Sequence, residues 1–130
     1  MRLATWNVNS VRARVDRIVD FAVREDIDVL AMQEIKCKVE QFPFEQFEQA
    51  GFHVEAHGFS QWNGVAIASR SRPTEVETAF PGMPGFAKGH EGPDAPQEAR
   101  AIGATIDGMR VWSLYVPNGR ALEDPHYVYK

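Results

Sequence analysis

"RLATWNVNSVRARVDRIVDFAVREDIDVLAMQE", residues 2–34, decides the fold. Its opening alternates, with Leu3, Thr5 and Asn7 on one face and Ala4, Trp6 and Val8 on the other, the period of two that a strand requires. Val11, Val15, Ile18 and Ala22 then recur at spacings of four, three and four, along one side of a helix whose start Asn9 or Ser10 can cap. "DVLAMQE" (28–34) is a short apolar run that turns polar at Gln33 and Glu34, which predicts a buried strand ending at a functional edge. Strand, helix, strand implies a right-handed parallel crossover.

Further along, Pro43 opens a short helix with Phe44, Phe47 and Ala50 turned inward, and Gly51 ends it. "FHVEA" (52–56) and "GVAIASR" (64–70) read as strands flanking the loop "HGFSQWN". Residues 80–97 contain four glycines and four prolines, which predicts a mobile surface loop. "ARAIGATI" and "MRVWSLYV" are joined by Asp107-Gly108, the two-residue hairpin signal. At the end, Asp124 suits an N-cap and Pro125 the first helical position, with barely one turn to follow. About six strands and two full helices predict one mixed sheet with helices on one face. Its other face is then bare and has to find a partner layer.

At 130 residues the chain fits one domain. With 44% hydrophobic and 25% charged residues it has the composition of an ordinary globular protein. No apolar run approaches membrane-span length and no signal peptide is recognisable, so the expected location is cytoplasmic, with no membrane partner. The single cysteine, Cys37, excludes an internal disulfide and any cysteine-based zinc site. A net charge of −4 argues against nucleic acid on bulk charge alone. Residues 1–24, however, hold five arginines against Asp16 and Asp20, a local +3 that leaves −7 for the remainder. A basic end beside acidic groups suits a metal-dependent enzyme acting on a polyanion.

Asn7 and Glu34 stand at the ends of otherwise apolar strands, and neighbouring parallel strands finish on the same edge of a sheet. One carboxylate with an amide beside it is a seat for Mg²⁺, which completes its shell with water and phosphate. The alternative is that Asn7 caps the following helix and Glu34 is simply solvated. Of the four histidines, His53 and His57 share a strand face, His90 lies in the Gly/Pro loop and His126 in the final turn, so none forms an evident metal pair.

"TWNVNSVRAR", "DVLAMQEIK", "WNGVAIASR", "EAR" and "LYVPNGR…DPHYVYK" occur in an order and at spacings that resemble the exonuclease III family of apurinic/apyrimidinic endonucleases. That family belongs to the endonuclease/exonuclease/phosphatase superfamily. The resemblance implies an α/β fold of the deoxyribonuclease I-like, four-layer αββα type, of which this chain supplies about one mixed sheet with its helices. It implies that residues 1–130 are the amino-terminal half of a single domain, incomplete at the C-terminus.

The resemblance also assigns roles. Glu34 matches the metal-binding carboxylate, and Asn7 its partner beside metal and phosphate. Tyr115 matches the tyrosine that reaches the phosphate, where a phenol can donate to a phosphoryl oxygen as charge builds. Arg12 and Arg17 match residues that grip the DNA backbone, contacts that set register without reading sequence. Trp62 either lies against the duplex or anchors its loop on the sheet, and Asn63, Arg100, Asn118 and Arg120 complete the DNA-facing candidates. The implied activity is Mg²⁺-dependent hydrolysis, with Mn²⁺ as alternative, of double-stranded DNA 5′ to abasic sites, with 3′–5′ exonuclease activity on blocked ends, in base excision repair. No obligate protein partner is implied. The family's Asp-x-Asn and late Asp-His groups have no match in these residues, so the 130 residues are expected to be inactive alone. The other readings are a non-catalytic fragment that binds DNA or metal weakly, and another superfamily phosphodiesterase or phosphatase, cleaving phosphoinositides, sphingomyelin or RNA.

Overall fold

The opening unit forms as its periodicity predicts in the computed structural model, which describes residues 1–89 and 94–130. β1 (Leu3–Asn7), α1 (Val11–Arg24) and β2 (Val29–Gln33) make the crossover, with β1 and β2 parallel and Asn7 opposite Gln33. Ser10 rather than Asn9 caps α1, its Oγ accepting from the Ala13 N–H at 3.3 Å. Val11, Ile18 and Ala22 of α1 are buried, and Phe21 meets Trp6 of β1 edge to face at 5.3 Å.

A 3-10 turn (Val39–Gln41), α2 (Phe44–Gln49), β3 (His53–His57) and β4 (Val65–Ser69) follow. β4 pairs antiparallel with both β2 and β3, giving a mixed sheet ordered β1-β2-β4-β3. Gly64, at φ +90°, leads into β4 where a Cβ would stand 2.5 Å from Ile35 Cγ1, so the close approach and the backbone both call for glycine. β5 (Thr74–Glu77), β6 (Ala101–Ile106) and β7 (Met109–Leu114) form a separate antiparallel sheet ordered β5-β6-β7. The Asp107-Gly108 turn joins β6 to β7 with both residues at positive φ, 49° and 77°, the two-residue geometry its sequence predicts. α3 (Pro125–Tyr129) ends the chain, capped by Asp124.

The expectation of one mixed sheet is therefore wrong: the chain builds parts of two sheets, packed face to face. Val29, Val65 and Ile67 of the first meet Ile102, Ala104, Ile106 and Val111 of the second in one apolar cluster. A second cluster lies on the opposite face of the first sheet, where Leu30, Met32, Ala66 and Ala68 pack against Ile18, Phe47 and Phe52. β2 and β4 are buried at all five positions because helices cover one face and the second sheet the other. The face expected to be bare is covered from within the chain.

Polar groups lock the two sheets together. Gln33 Nε2 donates to Thr5 Oγ1 at 3.1 Å and to Ser113 Oγ of β7 at 3.0 Å, and Ser113 donates in turn to the Met32 carbonyl at 2.8 Å. Among the described residues no buried side-chain polar atom lacks a partner. Part of the 80–97 segment also packs down, with Phe86 and Ala95 buried and Phe86 stacked on Tyr129 at 4.9 Å. Residues 90–93 of that predicted loop, His90 among them, lie outside the described residues. No helix is long and apolar enough to cross a membrane among the described residues.

On β1 Leu3 is 49% exposed, whereas Ile67 between the sheets is fully buried. Ile67→Ala is expected to destabilise the chain by about 2–5 kcal/mol, and Leu3→Ala by no more than about 0.5 kcal/mol, in urea unfolding. Equal losses at the two positions would contradict the sandwich.

Candidate active site at the ends of β1, β2 and β7

The pairing of β1 with β2 does not stop where the strands end. Val8 N–H donates to the Gln33 carbonyl at 3.0 Å, Ser10 N–H to Glu34 at 2.8 Å and Val11 N–H to Ile35 at 3.1 Å, so the two exits travel together. Asn9, Ser10, Glu34 and Lys36 all take positive φ (45°, 85°, 53° and 54°) along these exits. Such conformations cost about 1–3 kcal/mol each in a non-glycine residue and tend to gather at functional sites.

The side chains of these exits form a closed set. Asn7 Nδ2 donates to Glu34 Oε1 at 2.9 Å, and Lys36 Nζ stands 3.3 Å from Glu34 Oε2. Lys36 Nζ also donates to Asn9 Oδ1 at 2.5 Å, and the Asn9 N–H donates to Asn7 Oδ1 at 3.2 Å. Asn7 thus presents its amide nitrogen to Glu34 and turns its oxygen to the Asn9 backbone. Tyr115, just past β7, joins the set from the second sheet, its phenol near enough to the Glu34 carboxylate for each group to shift the other.

Electrostatics follow from this geometry. The Asn7 amide is the main cause that holds the Glu34 carboxyl below its ordinary value, with burial opposing and Tyr115 and Lys36 assisting. Burial, reinforced by the facing Glu34 carboxylate, pushes the Tyr115 phenol up, while the Arg100 guanidinium pulls the other way. At neutral pH the site holds a carboxylate and a neutral phenol that can donate. The described residues hold no group of three or more His, Cys, Asp or Glu suited to a metal. The donor set for a cation is Glu34 with neighbouring amides, which fits Mg²⁺ because that ion keeps most of its water. Each carboxylate oxygen has a second lone pair beyond those engaged by Asn7 and Lys36.

The other predicted residues divide. Arg12 is exposed beside the site and donates through Nη2 to the Lys36 carbonyl at 3.3 Å. Arg17, also exposed, lies five residues on, about 140° further round the helix, so the two do not share a face. Trp62 is 65% exposed in the β3–β4 loop and does not anchor it. Its neighbour Asn63 turns inward, donating to Glu98 Oε2 at 3.0 Å. Arg100 is inward as well, paired with Glu98 at 2.9 Å. Asn118 Oδ1 accepts from the Arg120 N–H at 2.8 Å, which forms the turn that leaves Arg120 exposed. No histidine hydrogen-bonds to Glu34, Lys36 or Tyr115 among the described residues, and His126 instead bonds Asp124 through Nδ1 at 2.8 Å.

Lys36, Asn9 and Glu98 escaped the sequence reading as site residues, although each lies inside or beside a motif it used. Lys36 falls two residues after Glu34 in "QEIK", and Glu98 two before Arg100 in "EAR", spacings that return a side chain to the same side of extended chain.

An α/β protein with two packed sheets and a carboxylate-centred polar site at its strand ends is the class that fold and site define. Residues 4–121 match the Endonuclease/Exonuclease/phosphatase family, and the chain belongs to that family. It is 35% identical over 81 residues to an exodeoxyribonuclease III from Haemophilus influenzae, a match covering 62% of this chain and 30% of that protein. Its fold superposes on an AP endonuclease from Archaeoglobus fulgidus with a TM-score of 0.85 at 34% identity, covering 99% of this chain and 46% of that one. A 3′ phosphatase from Neisseria, solved with a product DNA hairpin, gives 0.86 at 36% identity and covers 99% and 46%. The fold is that of the AP endonuclease and deoxyribonuclease I-like structures, and the chain spans less than half the length of these relatives.

A depressed carboxyl contributes stability that is present above its ordinary value of 4.5 and lost as pH falls through its lower folded value. The urea midpoint of the chain is therefore expected to fall more steeply below about pH 5 than that of Glu34→Gln. Parallel curves from pH 3 to 7 would show that Glu34 is not held ionised.

Proposed function

We propose that this site is part of the phosphodiester-hydrolysing centre of a DNA-repair nuclease, cutting double-stranded DNA 5′ to abasic sites, with 3′–5′ exonuclease activity on blocked ends, in base excision repair. The observation that carries the reading is the Glu34 carboxylate, held ionised by Asn7 and Lys36 and faced by the Tyr115 phenol from the other sheet. The names of the relatives support it, since they are exodeoxyribonuclease, AP endonuclease and 3′ phosphatase.

Glu34 would hold Mg²⁺, or Mn²⁺ in its place, with Asn7 setting the carboxylate's direction and sharing the metal shell or the phosphate beside it. A bound divalent ion supplies charge neutralisation at phosphoryl and leaving oxygens. Lys36 can turn its ammonium from Glu34 toward a phosphate oxygen, being a flexible point charge. Tyr115, neutral and donating, is placed to stabilise the crowded phosphoryl group as negative charge accumulates. Arg12, Arg17, Arg120 and Trp62 are exposed and suited to backbone contact and to packing against the duplex, while Asn63 and Asn118 shape the loops that carry two of them. An abasic nucleotide lacks a stacked base and extrudes at low cost, so recognition would rest on deformability. Use on DNA places the protein in the cytoplasm with the nucleoid.

A second reading is favoured by one observation: among the described residues no histidine bonds to Glu34, Lys36 or Tyr115, where one could act on the attacking water or clamp the phosphate. In that reading these 130 residues, as the amino-terminal half of the domain, bind metal and DNA weakly without cutting.

Mn²⁺ added to the isotope-labelled chain is expected to broaden the amide signals of residues 7–9 and 34–36 first, and Glu34→Gln is expected to abolish that broadening. The same preparation is expected not to nick an abasic duplex in Mg²⁺ above a buffer control. Broadening that spares residue 34 would overturn the metal assignment. Robust nicking would overturn the weak-binding reading and show that these 130 residues suffice.

A further inference from the structure

Arg100 carries the cation that faces the Tyr115 ring, and it is built into the protein. Its side chain is only 13% exposed. Nε donates to Glu98 Oε1 at 2.9 Å and Nη1 to the Tyr115 carbonyl at 3.3 Å. The guanidinium carbon lies 4.7 Å from the Tyr115 ring centroid and 5.5 Å from that of Tyr129. The second oxygen of Glu98 is taken by Asn63 Nδ2 at 3.0 Å, and the Asn63 carbonyl accepts from the Lys36 N–H at 3.0 Å. An arginine that grips a phosphate presents a free edge of its fork to solvent. Here Nε goes to Glu98 and Nη1 to backbone, while the flat side lies against aromatic rings.

We propose that Glu98 and Arg100 are positioning residues for Tyr115, forming with Asn63 a clamp that fixes the phenol in the direction of Glu34. The proposal rests on the reading of Tyr115 as the donor to phosphate. Tyr115 lies one residue beyond β7, where the strand ladder no longer restrains its ring. Its backbone is pinned to Arg100 by the Tyr115 N–H, which donates to the Arg100 carbonyl at 2.8 Å. The planar guanidinium then sets the ring plane, and the Glu98 carboxylate sets the plane of the guanidinium. Lysine would keep the charge and lose both planes. The clamp draws on three segments distant in sequence, the β3–β4 loop, the lead into β6 and the exit of β7, so it also ties the loop bearing Trp62 to the ring at the site.

The test uses the 130-residue chain with ¹³C-labelled tyrosine, its Tyr115 ring signals assigned through Tyr115→Phe. Arg100→Lys and Glu98→Gln are expected to shift the Tyr115 ring signals, and Glu98→Gln also to remove the exchange protection of the Arg100 Nε–H. Asn63→Gly, which suits the positive φ of 58° at that position and deletes one hydrogen bond, is expected to move them the same way by a smaller amount. Arg110→Gln, at the comparable cation over Trp112, is expected to leave them in place. Tyr115 signals that stay fixed in folded Glu98→Gln and Asn63→Gly, with only the melting temperature lowered, would overturn the proposal and leave the pair a purely structural one. Should Glu98→Gln fail to fold, Asn63→Gly decides alone. No DNA or metal enters this measurement, so its failure is distinct from a failure of the Mn²⁺ experiment.

Discussion

The parallel pairing of β1 with β2 is the constraint on which the rest of the molecule depends. Parallel neighbours need a crossover, and α1 supplies it while burying its apolar stripe on the sheet. Because both strands then end on one edge, Asn7 and Glu34 arrive side by side although 27 residues separate them. The backbone bonds that continue past the strands, from Val8, Ser10 and Val11 to the segment after β2, hold the two exits at a fixed distance. They also oblige Glu34 and Lys36 to adopt left-handed conformations. A loop of ordinary freedom would let the carboxylate drift, whereas this one returns it to Asn7.

The second sheet turns that pair into a site. Gln33 and Ser113 join the layers directly beneath the polar cluster, and one strand exit later Tyr115 faces Glu34. The nearness of phenol and carboxylate acts on both partners, lowering the one and raising the other. Burial opposes the first shift and reinforces the second, since it penalises charge on either group. Arg100, its guanidinium carbon 4.7 Å from the ring centroid, pulls the phenol the other way. A cation there offsets part of the penalty without competing for Glu34.

Much of this was legible in the residues, and what was not has physical reasons. Period-two and period-3.6 patterns located six strands and the helices, and Asp107-Gly108 located the hairpin, because these depend on local geometry alone. β5, "TEVE", is exposed throughout and pairs along only one side, so no burial pattern marks it. The division into two sheets depends on which strand edges meet, and hairpin signals are silent on that. A clue existed in β2 and β4, where unbroken apolar runs mean burial on both faces, while the single-sheet reading left one face bare. At the site, Asn7, Glu34 and Tyr115 were found through motif resemblance and converge. Arg100 was a DNA-facing candidate through the resemblance of "EAR", and only its contacts with Glu98 and two rings reveal that it faces inward. Lys36 and Asn9 were passed over because each has a credible ordinary role, as a solvated lysine and as a helix cap.

The central claim is that a side chain from each sheet meets at one carboxylate. A double-mutant cycle on stability with Glu34→Gln and Tyr115→Phe tests it directly, since the first change removes the carboxylate's charge and the second the phenol's donor. The account predicts a coupling energy of about 0.5–3 kcal/mol at pH 7, shrinking as the pH falls and Glu34 is protonated. Additive losses at pH 7, with no coupling beyond error, would mean that Tyr115 and Glu34 do not interact and that the two sheets do not share a site.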